Sequence, residues 1–291
     1  MITVKELSKR YGQTLALDGL SLQVPRGSVF GLLGSNGAGK TTFLRLAMGF
    51  VFPDRGAIEW MGSAPGLVGY LPERAFYPPR FTIRSYLHTL AQLAGLAGTE
   101  RAQAIDRLLV QFGLSEVQAR RLGNCSRGML QRVGLTQTLL GDPPLLLLDE
   151  PVISLDPAAQ KLFREQILAL HQAGKTVILS SHHLDQVMRV CTHVAVMNRG
   201  RLVRSGPLAE ILAPQFQVVL DTAPIPPALQ VQIGALSPGI AVAERQITLT
   251  EPALGHKAEV LRVLLDAGVD LQGLSERHAT LEEVYLEATG R

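Results

Sequence analysis

The chain has 291 residues, of which 46% are hydrophobic, and its formal net charge is +3. This length exceeds that of a usual single domain, so one large domain and a smaller one are expected. The small charge does not imply nucleic acid as a partner, for which clustered basic residues would be expected. A weak attraction to anionic lipid fits the charge equally well.

No segment of the sequence is typical of export or of membrane insertion. The start lacks a charged stretch followed by an apolar one, as a secretory signal would have. The densest apolar run, Leu145 to Leu148, is far shorter than the roughly 20 residues that span a bilayer. Cys125 and Cys191 show neither metal-ligand spacing nor a disulfide framework. A soluble chain in a reducing cytosolic compartment is therefore expected.

Strand patterns occupy the beginning of the chain. Residues 1–33 alternate apolar and polar positions between turn residues, which predicts antiparallel strands. The last run, Val29 to Leu33, is apolar throughout and leads into a glycine-rich loop. A helix is expected from Thr42 to Met48.

The middle of the chain predicts an α/β core with a helical insert at about 76–141. Apolar residues between Phe81 and Gly141 keep helical spacing. Leu145–Leu148 and Thr176–Leu179 read as buried parallel strands, with a helix from Pro157 to Ala173 between them. Val194–Met197 is a further strand.

The end of the chain differs in composition. Four prolines between Pro224 and Pro238 separate short β-like runs, and Leu254 to Ala267 has the pattern of an amphipathic helix. We predict a core domain over residues 1–213 and a small α+β appendage over residues 214–291.

The glycine-rich loop predicts a phosphate-binding site. It follows a strand and opens a helix, the context that makes such a motif credible. Its backbone N–H groups would surround phosphates, Lys40 would reach the β- and γ-phosphates, and Thr41 would ligate Mg²⁺. A chance glycine-rich turn is the alternative. The expected nucleotide-binding residues here are Gly34, Ser35, Asn36, Gly37, Ala38, Gly39, Lys40, Thr41 and Thr42.

Three residues at strand ends are candidates for the chemistry. Asp149 follows a strand of leucines and is expected to hold Mg²⁺, and Glu150 is the candidate to activate the attacking water. The alternative for this pair is a helix cap, since Pro151 follows. His182 ends the next strand, where it could contact the γ-phosphate or the water, although a lone histidine is usually structural.

A Ser-x-Gly turn stands about 20 residues ahead of the acidic strand, in Cys125-Ser126-Arg127-Gly128-Met129. A helix N-terminus starting at Ser126 would direct its partial positive charge at phosphate. The combination of this turn with the glycine loop indicates a site built by two chains, in which each closes the other's nucleotide.

Together these motifs resemble those of the ATPase subunits of ATP-binding cassette (ABC) transporters, over residues 1 to about 213. The resemblance implies an α/β P-loop fold with an antiparallel β-subdomain, a helical insert and the appendage. It implies that Tyr11 stacks on adenine and that Glu73 stands where the family has a glutamine that meets Mg²⁺ and water. It also implies that Ser126 and Gly128 bind the partner's γ-phosphate, that Ser154 opens the D-loop, and that His182 is the switch histidine.

Three positions depart from the commonest pattern of that family. Glu73 replaces glutamine, which is read as a mark of a subclass. Cys125, Arg127 and Met129 replace the common leucine, glycine and glutamine of the signature, and Ser154 replaces a glycine. None of these changes looks disabling. Tyr11 as an ordinary strand aromatic and Glu73 as a surface carboxylate remain alternatives.

The resemblance also implies partners and a location. A head-to-tail homodimer would enclose two ATP molecules with Mg²⁺, as a peripheral protein at the cytoplasmic face of the cell membrane. An integral membrane permease subunit would dock in a groove beside Glu73, whose candidate aromatic and proline residues are Phe76, Tyr77, Pro78, Pro79 and Phe81; these could equally be local core. The segment Ala279–Glu287 resembles the closing helix of exporter-type subunits.

Two other functions stay open. The chain could power or regulate a cell-envelope machine without moving a solute. Alternatively, it could be a soluble ABC ATPase that acts on ribosomes or DNA, although such proteins usually have two cassettes or a long coiled-coil insertion. The sequence indicates neither the transported substrate nor the identity of the membrane partner.

Overall fold

The computed structural model describes residues 2–60, 68–152, 155–211, 216–250 and 252–278. The contacts divide the chain into two compact units, Met1–Leu208 and Ala209–Arg291. Two sequence-based predictions, for Ser154 and for the segment Ala279–Glu287, lie outside the described residues. The predicted boundary at residue 213 also falls outside them and stays a prediction.

The first unit alternates strands and helices. Its elements in chain order are β1 (Ile2–Tyr11), β2 (Thr14–Val24), β3 (Val29–Leu33), α1 (Lys40–Ala47), β4 (Arg55–Trp60), β5 (Val68–Leu71), α2 (Ile83–Leu93), α3 (Gly98–Gln111), α4 (Arg127–Thr138), β6 (Leu145–Leu148), α5 (Pro157–Gln172), β7 (Thr176–Ser181), α6 (Leu184–Val190), β8 (His193–Asn198) and β9 (Arg201–Pro207). The short α7 (Leu208–Ile211) begins at the last residue of this unit.

Two sheets form this unit. A three-stranded antiparallel sheet has the order β2-β1-β4, and a six-stranded sheet has the order β5-β6-β7-β3-β8-β9. The larger sheet is parallel except for β9, which pairs antiparallel with β8. Strands β3, β6 and β7 are buried at every residue, as expected of central strands covered on both faces.

Helices α2, α3 and α4 form the insert. Helix α2 begins with a capping box, in which the Thr82 hydroxyl accepts from the Ser85 backbone N–H and the Ser85 hydroxyl accepts from that of Thr82. Helix α4 is capped by Ser126, whose hydroxyl accepts from the Met129 N–H at 3.3 Å. The expected antiparallel β-subdomain, parallel core and helical insert are all present.

The second unit contains β10 (Phe216–Thr222), α8 (Pro227–Gly234), β11 (Ile240–Val242), β12 (Gln246–Leu249), α9 (Lys257–Asp266) and β13 (Leu271–His278). Its sheet is antiparallel with the order β11-β12-β10-β13. This β-α-β-β-α-β arrangement is ferredoxin-like. Its core includes Val218, Leu220, Ile247, Val260 and Leu264, so the unit has an apolar centre of its own.

Among the described residues, no helix is both long and apolar enough to cross a membrane.

Candidate nucleotide site

The candidate residues come from the ends of four neighbouring strands. Because β5, β6, β7 and β3 are adjacent and parallel, their carboxyl ends lie along one edge of the sheet, where α/β proteins bind ligands. Glu73 follows β5, Asp149 and Glu150 follow β6, His182 follows β7 and the glycine loop follows β3. The sheet order thus brings together motifs that are far apart in sequence.

A pocket of about 440 Å³ lies at this edge. Its lining includes most of the predicted residues, namely Ser35, Asn36, Gly37, Ala38, Gly39, Lys40, Thr41, Thr42, Glu73, Glu150 and His182. Thr14, Leu15 and Ala16 at the start of β2 also line it, and the sequence motifs did not include them. Tyr11 is not part of the lining; it is 43% exposed, and the Lys9 ammonium lies 5.7 Å from its ring centre.

The glycine loop requires glycine at its last turn. Gly39 has a φ of 102°, and a Cβ there would lie 2.6 Å from the Ala16 carbonyl oxygen. A side chain is therefore excluded both by the backbone conformation and by the close approach of β2. The turn directs the N-terminus of α1 into the pocket, which suits binding of an anion.

Lys40 is fixed at the base of the pocket. Its ammonium donates to the Gly34 carbonyl at 2.6 Å and to the Ser35 carbonyl at 3.3 Å. It also lies 3.4 Å from Glu150 Oε1, and both side chains are almost fully buried. This cation therefore lies beside a buried carboxylate.

Glu150 has an unusual backbone and a defined partner. Its φ of 47° lies in the left-handed region, which costs a residue other than glycine about 1 kcal/mol or more. Its Oε2 is 3.0 Å from His182 Nδ1. An ionised carboxylate only accepts hydrogen bonds, so in that state it pairs with the His182 tautomer that has its proton on Nδ1. The carboxylate is thus oriented within the pocket by His182.

Asp149 is buried and bonded on one side. The Ser180 hydroxyl donates to Asp149 Oδ1 at 2.7 Å, whereas Oδ2 is buried with no hydrogen-bond partner among the described residues. Burial raises the pKa of this carboxyl; the hydroxyls of Ser180 and Thr41 oppose the rise, and the charges of Glu73 and Glu150 add to it. Its charged form is therefore disfavoured until a cation compensates it.

The donors around Asp149 fit a magnesium ion. The free Asp149 Oδ2, the Thr41 hydroxyl and the Glu73 carboxylate are hard oxygen donors, which Mg²⁺ prefers. No cluster of three or more His, Cys, Asp or Glu side chains that could hold a metal occurs in the described part of the chain. Mg²⁺ usually binds one or two carboxylates together with substrate phosphates, and Asp149 and Glu73 are carboxylates of this kind.

The raised pKa of Asp149 predicts that Asp149→Asn stabilises the nucleotide-free protein. The pKa of this carboxyl is higher in the folded state than in the unfolded state. Below the unfolded-state pKa the carboxyl therefore does not destabilise the fold, and the destabilisation grows as pH rises to the folded-state pKa. We expect the variant to melt a few degrees higher at neutral pH. Scanning calorimetry at several values above about pH 4 should show a gap that widens with pH and then levels off.

The exposed Asp270 provides the control for that experiment, because Asp270→Asn changes a carboxylate that water already solvates. Its melting temperature should follow that of the unmodified protein at every pH. An Asp149→Asn variant that melts lower at neutral pH would contradict the assignment of a desolvated carboxylate.

Ser126 and Gly128 lie apart from this pocket and do not line it. They border a separate cavity with Met129, Arg132 and Asp156. A Cβ on Gly128 would meet no atom within 4 Å, so packing within this chain does not require glycine there.

The aromatic residues beside Glu73 divide into two groups. Phe76 is 85% exposed. Tyr77 is instead half-buried, its ring stands edge-on to Tyr86 at 5.7 Å, and burial raises the pKa of its hydroxyl. A Cβ on Gly134 would collide with Tyr77, so Tyr77 belongs to the local core of the insert.

Residues 17–153 match the family model described as ABC transporter. The chain is 41% identical over 211 residues to an uncharacterized ABC transporter ATP-binding protein, all4389, of Nostoc sp.; the match spans 70% of this chain and 63% of that protein. It is 32% identical over 302 residues to Nod factor export ATP-binding protein I of Paraburkholderia xenovorans, with 100% of this chain and 97% of that protein covered.

Two solved structures share the fold. One is described as the ATP-binding subunit of an ABC transporter, with 30% identity, a TM-score of 0.67 and coverage of 73% of this chain and 92% of that one. The other is a dimeric post-hydrolysis state of the ATP-binding cassette MJ0796 bound to ADP and Pi, with 20% identity, a TM-score of 0.65 and coverage of 72% and 99%. The expected fold and family are confirmed, and the chain belongs to the ATP-binding subunits of ABC transporters, which are ATPases.

Proposed function

We propose that two copies of this chain enclose two ATP–Mg between them and drive a separate membrane permease that exports a solute. The observation that carries the proposal is the separation of Ser126 and Gly128 from the pocket of their own chain. The dimeric form of the MJ0796 cassette supports pairing. The full-length likeness to a Nod factor export ATP-binding protein supports the direction of transport.

The pocket residues would have separate roles in binding and hydrolysing ATP. The glycine loop and Lys40 would hold the phosphates, and Tyr11 or the start of β2 would meet the base. Glu150 would take the proton of the attacking water, and His182 would keep its carboxylate oriented. Thr41, Asp149 and Glu73 would hold Mg²⁺, which neutralises phosphate charge when bound.

The turn at the start of α4 would supply the second half of each site. The Ser126 hydroxyl caps one N–H of the first turn, that of Met129, and the helix N-terminus carries partial positive charge. Gly128 leaves the backbone open to close approach. One turn further, Gln131 donates to the carbonyl of Pro151, next to Glu150. This bond would link the turn that binds the partner's ATP to the pocket in which the same chain hydrolyses its own ATP.

The two-chain site predicts opposite effects of Gly128→Asp on stability and on activity. Gly128 is the second residue of α4, where an acidic side chain favours the helix and the loss of glycine does too. The monomer should therefore melt at the same temperature or higher. Steady-state ATPase activity should fall at least about tenfold, because the new carboxylate would face the partner's γ-phosphate.

Thr99→Asp is the matched control, since Thr99 is the exposed second residue of α3. It adds the same charge at the same helix position, away from both halves of the site, and should leave ATPase activity unchanged. Full activity in Gly128→Asp would contradict the two-chain site.

Affinity purification of the full chain from detergent-solubilised membranes tests the proposed partner. An integral membrane subunit should co-purify, and solute flux through the reconstituted complex should require ATP. ATP hydrolysis without flux would favour the regulator of a cell-envelope machine, and recovery with ribosomes or DNA instead of membranes would favour the soluble ATPase. The exposed Phe76 marks the proposed docking surface, so Phe76→Ser should weaken co-purification while ATP affinity stays the same.

A further inference from the structure

A buried serine outside the sequence motifs joins the two acidic residues of the site. Ser180 is completely buried on β7. Its hydroxyl donates to Asp149 Oδ1 at 2.7 Å and accepts from the Glu150 backbone N–H at 2.8 Å. A hydroxyl has one proton to donate, and here that proton is committed to Asp149.

The position of this serine follows from the sheet. Strands β6 and β7 pair in parallel up to Leu148 and Leu179, so the next residues, Asp149 and Ser180, emerge side by side. At this point the ladder of β6 ends and Glu150 enters the left-handed region with a φ of 47°. The N–H of Glu150 is then bonded by a side chain in place of a strand.

We propose that Ser180 is a positioning residue for hydrolysis, which rests on the proposed roles of Asp149 and Glu150. Its single hydroxyl holds the metal-binding carboxylate and the backbone of the general base at a fixed separation. The Ser180 hydroxyl bonds Oδ1 of Asp149, and the buried Oδ2, which has no hydrogen-bond partner among the described residues, would then be the oxygen that holds Mg²⁺. Ser180 touches no reacting atom and acts through its two neighbours.

Ser180→Ala tests this role in the full chain. The variant leaves Asp149 Oδ1 and the Glu150 N–H, both at buried residues, without their shared partner. Loss of a residue that orients a metal ligand typically costs about 10–100-fold in metal affinity or activity. We expect kcat to fall by about that factor, with little change in KM.

Two further measurements separate positioning from general damage. Calorimetric titration should show weaker binding of ADP with Mg²⁺, while binding of ADP in excess chelator stays unchanged. Ser180→Thr keeps the hydroxyl and should retain most of the kcat, whereas Ser180→Cys, with a weak donor of similar size, should resemble Ser180→Ala.

Ser28→Ala is the matched control. Ser28 is also buried, and its hydroxyl donates to the Pro25 carbonyl at 2.7 Å, ahead of the amino end of β3. It should lose stability but keep its kcat. The inference is overturned if the unmodified chain hydrolyses ATP and Ser180→Ala does so at the same kcat, or if Ser28→Ala loses as much. An unmodified chain with no Mg²⁺-dependent hydrolysis would instead refute the proposed function.

Discussion

Glu150→Gln should lower steady-state ATP hydrolysis by about two to four orders of magnitude, the range that a positioned general base contributes. The amide keeps the size of the side chain and can still accept from His182 Nδ1, so the 3.0 Å contact should survive. What it loses is the capacity to take a proton from the attacking water. ATP affinity should stay within a few-fold of that of the unmodified chain, because Lys40 and the glycine loop are unaltered.

A coupled assay for released phosphate and an equilibrium titration with ATP measure these two quantities. Glu165→Gln is the control, since Glu165 is an exposed residue of α5 that pairs with Lys161 at 3.9 Å. It should change neither quantity. Undiminished hydrolysis in Glu150→Gln would refute the general-base assignment.

Lys40→Ala should nearly abolish nucleotide binding and also lower the stability of the fold. The ammonium is the cation at the base of the pocket, held by the carbonyls of Gly34 and Ser35. Its loss removes the attraction for phosphate. It also leaves the buried Glu150 carboxylate without the positive charge that it pairs with. Removing one member of a buried pair costs about 3–5 kcal/mol. We expect somewhat less, because His182 still bonds one oxygen of Glu150.

The double variant Lys40→Ala/Glu150→Gln separates the two consequences. If the stability loss arises from an uncompensated carboxylate, the double variant should unfold at a higher denaturant concentration than Lys40→Ala alone. Nucleotide binding should not return, because the cation is still missing. Lys161→Ala, which removes an exposed lysine, should leave both properties intact. Unchanged ATP affinity in Lys40→Ala would contradict the phosphate role of this residue.

The local motifs were predictable because each depends on neighbouring residues. A buried strand followed by glycines and Lys40 can form few structures other than a phosphate-binding turn. The leucine strand before Asp149 predicts a carboxylate at the edge of a sheet for the same reason. The α/β core, the helical insert and the α+β appendage followed from periodicity, and the fold class is confirmed.

Contacts between distant segments were not predictable in the same way. Ser180 reads as one more residue of a buried strand, and its role depends on the register between β6 and β7. Thr14, Leu15 and Ala16 reach the pocket because the hairpin of β1 and β2 places them beside Gly39. For Tyr77 the sequence left a docking surface and the local core both open, because its packing against Tyr86 and beside Gly134 depends on how α2 and α4 meet.

The second unit shows the same limit at the level of whole elements. One amphipathic helix was expected from Leu254 to Ala267, whereas a 3₁₀ turn occupies Ala253–His256 before α9 begins at Lys257. The order of its four strands, β11-β12-β10-β13, places β10 between strands that are distant in sequence. Short runs separated by prolines contain no local signal for that pairing, so only the α+β class could be predicted from the sequence.

Sedimentation of Glu150→Gln with and without ATP–Mg most directly tests the claim that each site is shared by two chains. We expect a particle of twice the monomer mass with saturating ATP–Mg and the monomer without it. Adding Gly128→Asp to this variant should keep it monomeric while it still binds ATP. A dimer of unchanged affinity in the double variant, or a monomer when Glu150→Gln alone is saturated with ATP, would contradict the account.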